Sequence, residues 1–161
     1  MRIRDIEKKD NNALKIIIQE SLESFGLNIP GTAYYDSQLD NLYDYYHYQK
    51  KAKYWVVEIN ENVVGGIGIA PFNFSEEICE VQKLYLSKDA KGLGISNLLL
   101  GTALNFASKN FTRCYLETSS ELRVAQILYE KWGFTLMDKP LSGSIHTAMD
   151  LWYTKDFTSS N

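Results

Sequence analysis

Apolar residues recur along this chain with two periods, and their alternation marks out the elements. Ile95, Leu98, Leu99, Thr102, Ala103 and Phe106 fall at i, i+3, i+4, i+7, i+8 and i+11, one stripe of a helical repeat with no proline in it. Leu14, Ile17, Ile18 and Leu22 repeat likewise, in a helix expected to start near Asn12, with Asp10 or Asn11 as its cap and Gly26 as its stop. A helix from Asp36 to Gln49 would turn Leu39, Leu42, Tyr43 and Tyr46 inward and leave Tyr45, His47 and Tyr48 on other faces. A shorter helix, Arg123 to Lys131, has Val124, Leu128 and Trp132 as its apolar stripe and Gly133 as its terminator.

Strand-like segments fill the intervals: Met1 to Ile6, Tyr54 to Ile59, Val63 to Pro71, Cys79 to Leu86, Arg113 to Thr118, Phe134 to Met137 and His146 to Tyr153. Asn60-Glu61-Asn62 is a turn that makes a hairpin of the second and third; Gly65, Gly66 and Gly68 loosen the third. Thr158 to Asn161 reads as a frayed tail. Hairpins flank a single strand–helix–strand crossover. The fold expected is α/β, a mixed, mostly antiparallel central sheet of about seven strands flanked by about four helices, in one domain over residues 1–161.

The crossover carries the chemistry. Between the strand ending at Leu86 and the helix starting at Ile95 lies a loop with Gly92 and Gly94. The first turn of a helix leaves backbone N–H groups unpartnered and carries partial positive charge. Glycines let an anion approach that backbone, so the loop is a candidate phosphate or pyrophosphate site. Lys88 and Lys91 add charge beside it and Ser96 a hydroxyl. As a nucleotide motif it fits poorly: the Gly-Lys-Ser/Thr of a P-loop is absent, and the third glycine of a dinucleotide fingerprint is Asn97. Glu117 does fall near the place of that fingerprint's ribose-binding acid, which keeps a dinucleotide enzyme as a runner-up.

Composition narrows the function class. The 161 residues are 45% hydrophobic and 23% charged, ordinary for a globular domain, and the formal net charge of −3 argues against nucleic acid as a partner. Eleven tyrosines favour an aromatic-lined pocket. Cys79 and Cys114 sit inside strands without a Cys/His cluster, so reduced buried thiols are expected and no metal site. A charged N-terminus without a secretory pattern, and no apolar run of membrane-spanning length, point to a cytoplasmic protein without membrane partners.

Lys91-Gly92-Leu93-Gly94-Ile95-Ser96 resembles the Gln/Arg-x-x-Gly-x-Gly/Ala signature of the GCN5-related N-acetyltransferases (GNAT), with Lys91 and Ser96 as departures. A second stretch, Ala125, Leu128, Tyr129, Gly133 and Phe134, is similar to that family's Ala-x-x-Leu-Tyr-x-x-x-Gly-Phe signature. On this resemblance the chain is an acetyl-CoA-dependent N-acetyltransferase that acylates a primary amine of a small molecule or peptide, with no metal and with a homodimer among the assemblies the family allows. The resemblance implies that Lys91, Gly92, Leu93, Gly94, Ile95 and Ser96 hold the pyrophosphate. Leu84, Tyr85 and Leu86 would pair with pantetheine, an amide near Leu84 or Tyr85 serving the oxyanion.

Tyr129 is then the acid for the departing thiolate and Glu80 the base, whose bland alternative is an edge or surface salt-bridge partner. Leu122 stands where many relatives bind pantetheine with asparagine, leaving Ser119 or Ser120 to make the contact, or the contact unmade. Asp36, Asp40, Asp44, Tyr45 and His47 are candidates for a cationic acceptor pocket, with a basic amine such as a polyamine favoured. His146, Asp150 and Trp152 share one face of the last predicted strand and could equally be packing, so they are left out of the site. The rival from another class is a non-catalytic acyl-CoA-binding module.

Overall fold

Seven strands form one sheet in the computed structural model, which describes residues 1–158. They are β1 (Arg2–Asp5), β2 (Lys53–Ile59), β3 (Asn62–Pro71), β4 (Ile78–Leu86), β5 (Arg113–Thr118), β6 (Thr135–Met137) and β7 (Leu151–Asp156), arranged in the order β1-β2-β3-β4-β5-β7-β6. Every neighbouring pair is antiparallel except β4 and β5, which the crossover makes parallel. The α-helices are α1 (Asn11–Ser24), α2 (Leu42–His47), α3 (Ile95–Asn110) and α4 (Arg123–Lys131). The predicted tail falls largely outside the described residues.

Period-two alternation gives the sheet two apolar faces. Tyr54, Val56 and Ala70 pack with Leu14, Ile18 and Leu22 of α1 and with Leu42 and Tyr46 of α2. Trp55, Val57, Ile67, Ile69, Cys79 and Val81 meet Ile95, Leu99, Leu100 and Ala103 of α3 and Tyr129 of α4 on the other face. Helix α1 ends as expected at Gly26, whose φ of 68° lets the amides of Gly26 and Leu27 close back on Glu23 and Leu22. At its start Asp10 is the N-cap residue, but its carboxylate accepts from the Arg4 guanidinium and the Glu7 amide instead of capping α1.

Four expectations need correction. The helix from Asp36 to Gln49 is broken into a 3-10 turn, Ser37–Asp40, and the short α2, because Asn41 leaves helical geometry (φ −151°, ψ 60°). The Asn11 side chain donates to Asn41 Oδ1 and accepts from the Tyr43 amide, offering the backbone an alternative to the helical ladder. Helix α3 buries Leu100, Leu104 and Ala107 while Leu98 is 46% exposed, since three successive leucines allow either rotation of the stripe.

Helix α4 turns Gln126 and Tyr129 inward and leaves Val124 84% exposed. The Gln126 amide donates to the carbonyls of Ser119 and Ser120, which makes a polar residue the better inward choice. Finally, β7 starts at Leu151, not His146. The preceding segment is drawn to loops: Ala148 N–H donates to Gly31 O, and Asp150 accepts from both the amide and the hydroxyl of Ser120.

Candidate active site

β4 and β5 pair only where Ile78, Cys79 and Glu80 stand opposite Arg113, Cys114 and Tyr115. Past Glu80, β4 follows β3 as far as Leu86, while β5 continues beside β7 to Thr118. The two central strands therefore part and leave a gap in the middle of the sheet. The Ser87 amide donates to Val64 O of β3 at 2.7 Å. By the alternation of a strand, the amides of Leu84 and Leu86 then point to the opposite edge, into the gap, and that of Tyr85 to β3.

A bulge lies at the point of divergence. Gly66 opposes Tyr85 and Gly68 opposes Gln82, so β4 spends one residue more than β3 between these pairs. The extra residue is accommodated at Lys83, whose φ of 50° is rare outside glycine and is held by the Tyr54 hydroxyl donating to Lys83 O at 2.9 Å. A regular pleat would send Lys83 toward α3. The bulge sends it to the opposite face, where its ammonium lies 2.8 Å from Asp36 Oδ2 and 5.9 Å from the centre of the Tyr45 ring.

Glu80 and Gln82 stand on that same face. Glu80 is buried, with 9% of its surface exposed, and makes no salt bridge among the described residues, which excludes the edge or surface partner. One oxygen accepts from Gln82 Nε2 at 2.7 Å. Burial pushes its carboxyl up to about 7; Gln82 opposes the shift, nearby Glu117 adds to it, and His146 and Lys83 oppose it. Glu80, Gln82, Lys83, Tyr85, Glu117 and His146 line one small cleft of about 50 Å³, together with Ala33 and Met149.

Tyr129 stands on the other face, packed edge-on against Phe134 and tilted against Tyr153. Burial, with Cys114 adding to it, pushes its phenol above the ordinary value, so the hydroxyl keeps its proton at neutral pH. The gap between β4 and β5 is where a group on the Glu80 face and one on the Tyr129 face can meet a common substrate.

The loop before α3 holds both of its glycines in left-handed geometry. Gly92 (φ 79°) and Gly94 (φ 75°) are left-handed, and a Cβ on either would meet nothing within 4 Å. Gly94 is the N-cap of α3 and no side chain caps that end, so the first-turn amides remain available. Lys91 is exposed and leans over the Phe25 ring at 5.2 Å; Leu93 is 64% exposed, Ile95 is buried beneath the loop and Ser96 lies in the first turn. Trp132 Nε1 donates to Asn97 Oδ1 at 2.9 Å, fixing the helix that carries Tyr129 against the one that carries the loop. Open amides, small residues and an unpaired strand edge fit a pyrophosphate followed by an extended amide chain.

Other expectations are redistributed. The Ser120 amide and hydroxyl are both committed to Asp150, and Leu122 packs in the apolar cluster, while the Ser119 hydroxyl accepts from the Glu121 amide and keeps its own proton to donate. Glu117 accepts from Tyr115 and Ser144 and lines the Glu80 cleft, to which no residue of the glycine loop contributes, so it does not serve that loop as a ribose-binding acid. Asp40 pairs with Lys15, Asp44 with Asn41, and His47 stacks on Tyr43, so only Asp36 and Tyr45 of the proposed acceptor residues reach the cleft region. His146, left out of the site on sequence, brings Nε2 to 3.0 Å from Asp36. No local pattern joins residues 110 positions apart, and the histidine itself was the one available signal.

Known proteins share the sequence pattern and the fold. Residues 16–134 match the family model "Acetyltransferase (GNAT) family". The uncharacterized N-acetyltransferase YjgM of Escherichia coli (strain K12) is 40% identical over 147 residues, 89% of this chain and 87% of that protein. Among solved structures, an acetyltransferase of the GNAT family from Staphylococcus aureus Mu50 superposes with a TM-score of 0.82 at 20% identity, covering 98% of this chain and 99% of that one. YncA from Salmonella typhimurium, solved with its cofactor acetyl-CoA, gives 0.76 at 17% identity over 100% and 96%. No helix among the described residues is long and apolar enough to cross a membrane. The chain belongs to the GNAT family and is an N-acetyltransferase.

Proposed function

We propose that this protein, acting as one catalytic domain, transfers the acetyl group of acetyl-CoA directly to a primary amine of a small molecule or a peptide. The observation that carries the reading is the gap between β4 and β5, with a buried carboxyl on one face and a buried phenol on the other. YncA, similar in fold, was solved with acetyl-CoA, which supports the same cosubstrate here.

The amides of residues 92–96 would hold the pyrophosphate, with Lys91 supplying charge, and the free edge at Leu84 and Leu86 would pair with the pantetheine amides. Acetyl-CoA brings an activated acyl group with a thiolate as leaving group. Glu80 accepts a proton from the bound ammonium, because only a neutral amine attacks a carbonyl. The Leu84 amide faces the gap and stabilises the oxyanion better than Tyr85, whose N–H serves β3. Tyr129 gives its proton to the sulfur as the carbon–sulfur bond breaks.

The acceptor enters from the cleft lined by Glu80, Glu117 and Tyr85. Asp36 is neutralised there by Lys83 and His146, so Glu80 and Glu117 are the carboxyls left to attract a cationic amine. This favours a monoamine or an N-terminal amine over an extended polyamine, which needs several acidic partners in a row.

The test is thiol release from acetyl-CoA with a panel of small amines, polyamines, amino acids and peptides. Release that depends on a primary amine, with kcat/KM rising through pH ~7 as Glu80 ionises, is the expected result. Tight acetyl-CoA binding with no amine-dependent release would make the chain an acyl-CoA-binding module.

A further inference from the structure

We infer that Gln82 and Tyr46 are positioning residues for Glu80, a relay that fixes which oxygen of its carboxylate is occupied and which faces the amine. This rests on the reading of Glu80 as the base.

The relay is short and closed. Tyr46 donates its hydroxyl to Gln82 Oε1 at 2.8 Å, and Gln82 donates from Nε2 to Glu80 Oε1 at 2.7 Å. An amide can be turned either way, and Tyr46 decides between them. A phenol that keeps its proton needs an acceptor, so the carbonyl of Gln82 faces Tyr46 and its NH₂ is left for Glu80. Burial, with the neighbouring Tyr54 and Tyr45 adding to it, raises the Tyr46 phenol well above its ordinary value, so the donor role holds at every pH of interest. An NH₂ group favours an ionised carboxylate over a protonated one. The relay therefore supports the form of Glu80 that can take a proton and leaves Oε2 to do so.

The ring of Tyr46 has little freedom. Its centre lies 5.1 Å from that of Tyr54 and 4.9 Å from that of Tyr45. A Cβ on Gly68, across the sheet on β3, would fall 2.5 Å from the Tyr46 hydroxyl oxygen. The glycine is thus the space in which this phenol sits, and any side chain there displaces the first member of the relay. Leu42 and Tyr46 are the two buried residues of α2, so Tyr46 also helps to hold this short helix against the sheet.

Other charged and titratable groups face Glu80 from every side. Glu117 approaches from β5, His146 from the loop before β7 and Lys83 from β4 itself; Asp36 is shared by the last two, and Tyr45 adds a phenol from α2. None of them bonds the Glu80 carboxylate. Gln82 alone does so among the described residues, which is why it and not the surrounding charge sets the orientation.

The experiment needs no acceptor. The Glu80 carboxyl of the full chain is titrated by ¹³C NMR, its signal assigned by loss in Glu80→Gln. Gln82→Leu should raise its titration midpoint by about one pH unit, the worth of one hydrogen bond to a charged group. Tyr46→Phe should move it the same way by less, since the amide is then free to turn. With the acceptor chosen from the amine panel, both variants should lower kcat and leave KM for acetyl-CoA near wild type. A Glu80 midpoint unmoved in folded Gln82→Leu overturns the relay. Should Tyr46→Phe fail to fold, Gln82→Leu alone decides. If the midpoint moves in Gln82→Leu but Glu80→Gln keeps wild-type kcat/KM at every pH, the relay stands and the base reading falls.

Discussion

Lys83 and Asp36 form a buried ion pair, Nζ to Oδ2 at 2.8 Å with side chains 3% and 10% exposed, and the pair exists only because a bulge turns Lys83 out of the normal pleat. It ties the turn after α1 to the divergence point of the sheet, and His146 joins the loop before β7 to the same carboxylate. Removing one partner of such a pair leaves a buried charge without compensation. Asp36→Ala should destabilise the protein by about 3 kcal/mol in urea unfolding, and Asp36→Ala with Lys83→Met should recover part of the loss. An Asp36→Ala protein as stable as wild type would mean that water reaches Lys83 freely.

The same cluster predicts how stability depends on pH. Burial alone would lower the His146 imidazole, but the Asp36 carboxylate outweighs it and the net shift is upward. A group raised on folding stabilises fully below its unfolded value, about 6.5 for histidine, and the contribution fades as pH rises through the folded value. Burial would raise Asp36, but His146 and Lys83 outweigh it and the net shift is downward, so its contribution is lost only in acid. The difference in Tm between wild type and His146→Asn should be largest near pH 6 and shrink toward pH 9. A difference that grows with pH would mean that His146 is held neutral.

Gly94→Val tests the anion loop. The left-handed backbone at Gly94 strains any side chain by about 1–2 kcal/mol, yet the space around it is open, so the fold should survive with a modest loss of Tm. On the proposed reading, the added side chain stands where the pyrophosphate would approach. Calorimetry should find CoA binding abolished. Wild-type affinity in the folded variant would remove the loop from the binding site.

Tyr129→Phe tests the acid. The ring and its contacts with Phe134 and Tyr153 remain, so stability should change little. Acetyl-CoA affinity should stay near wild type while kcat falls by on the order of 10²-fold, since a general acid acts only as the bond to sulfur breaks. An acyl donor with a more acidic thiol should suffer less. An unchanged kcat would return Tyr129 to the core.

Much of the fold was legible because it rests on local regularities. The hairpin of β2 and β3, the crossover from β4 through α3 to β5, and the stops at Gly26 and Gly133 all follow from periodicity and from residues that tolerate positive φ. The loop at Gly92 and Gly94 was legible for the same reason: its chemistry is that of the backbone and needs nothing distant. Phase was harder. Which of Leu98, Leu99 and Leu100 faces inward depends on what covers α3, and the inward turn of Gln126 depends on two carbonyls in a preceding loop.

The sequence by itself determined the order of elements, the mixed sheet, the glycine loop before α3 and Tyr129 on the helix that follows β5, because each is written in spacing along a few consecutive residues. Only the tertiary structure decided what surrounds Glu80. A one-residue bulge moved Lys83 to the face of Glu80, the parting of β4 and β5 opened the sheet between Glu80 and Tyr129, and His146 was carried 110 residues to Asp36. Those outcomes depend on register between strands and on the burial of charge, which are properties of the assembled sheet and have no signature in any single stretch of chain.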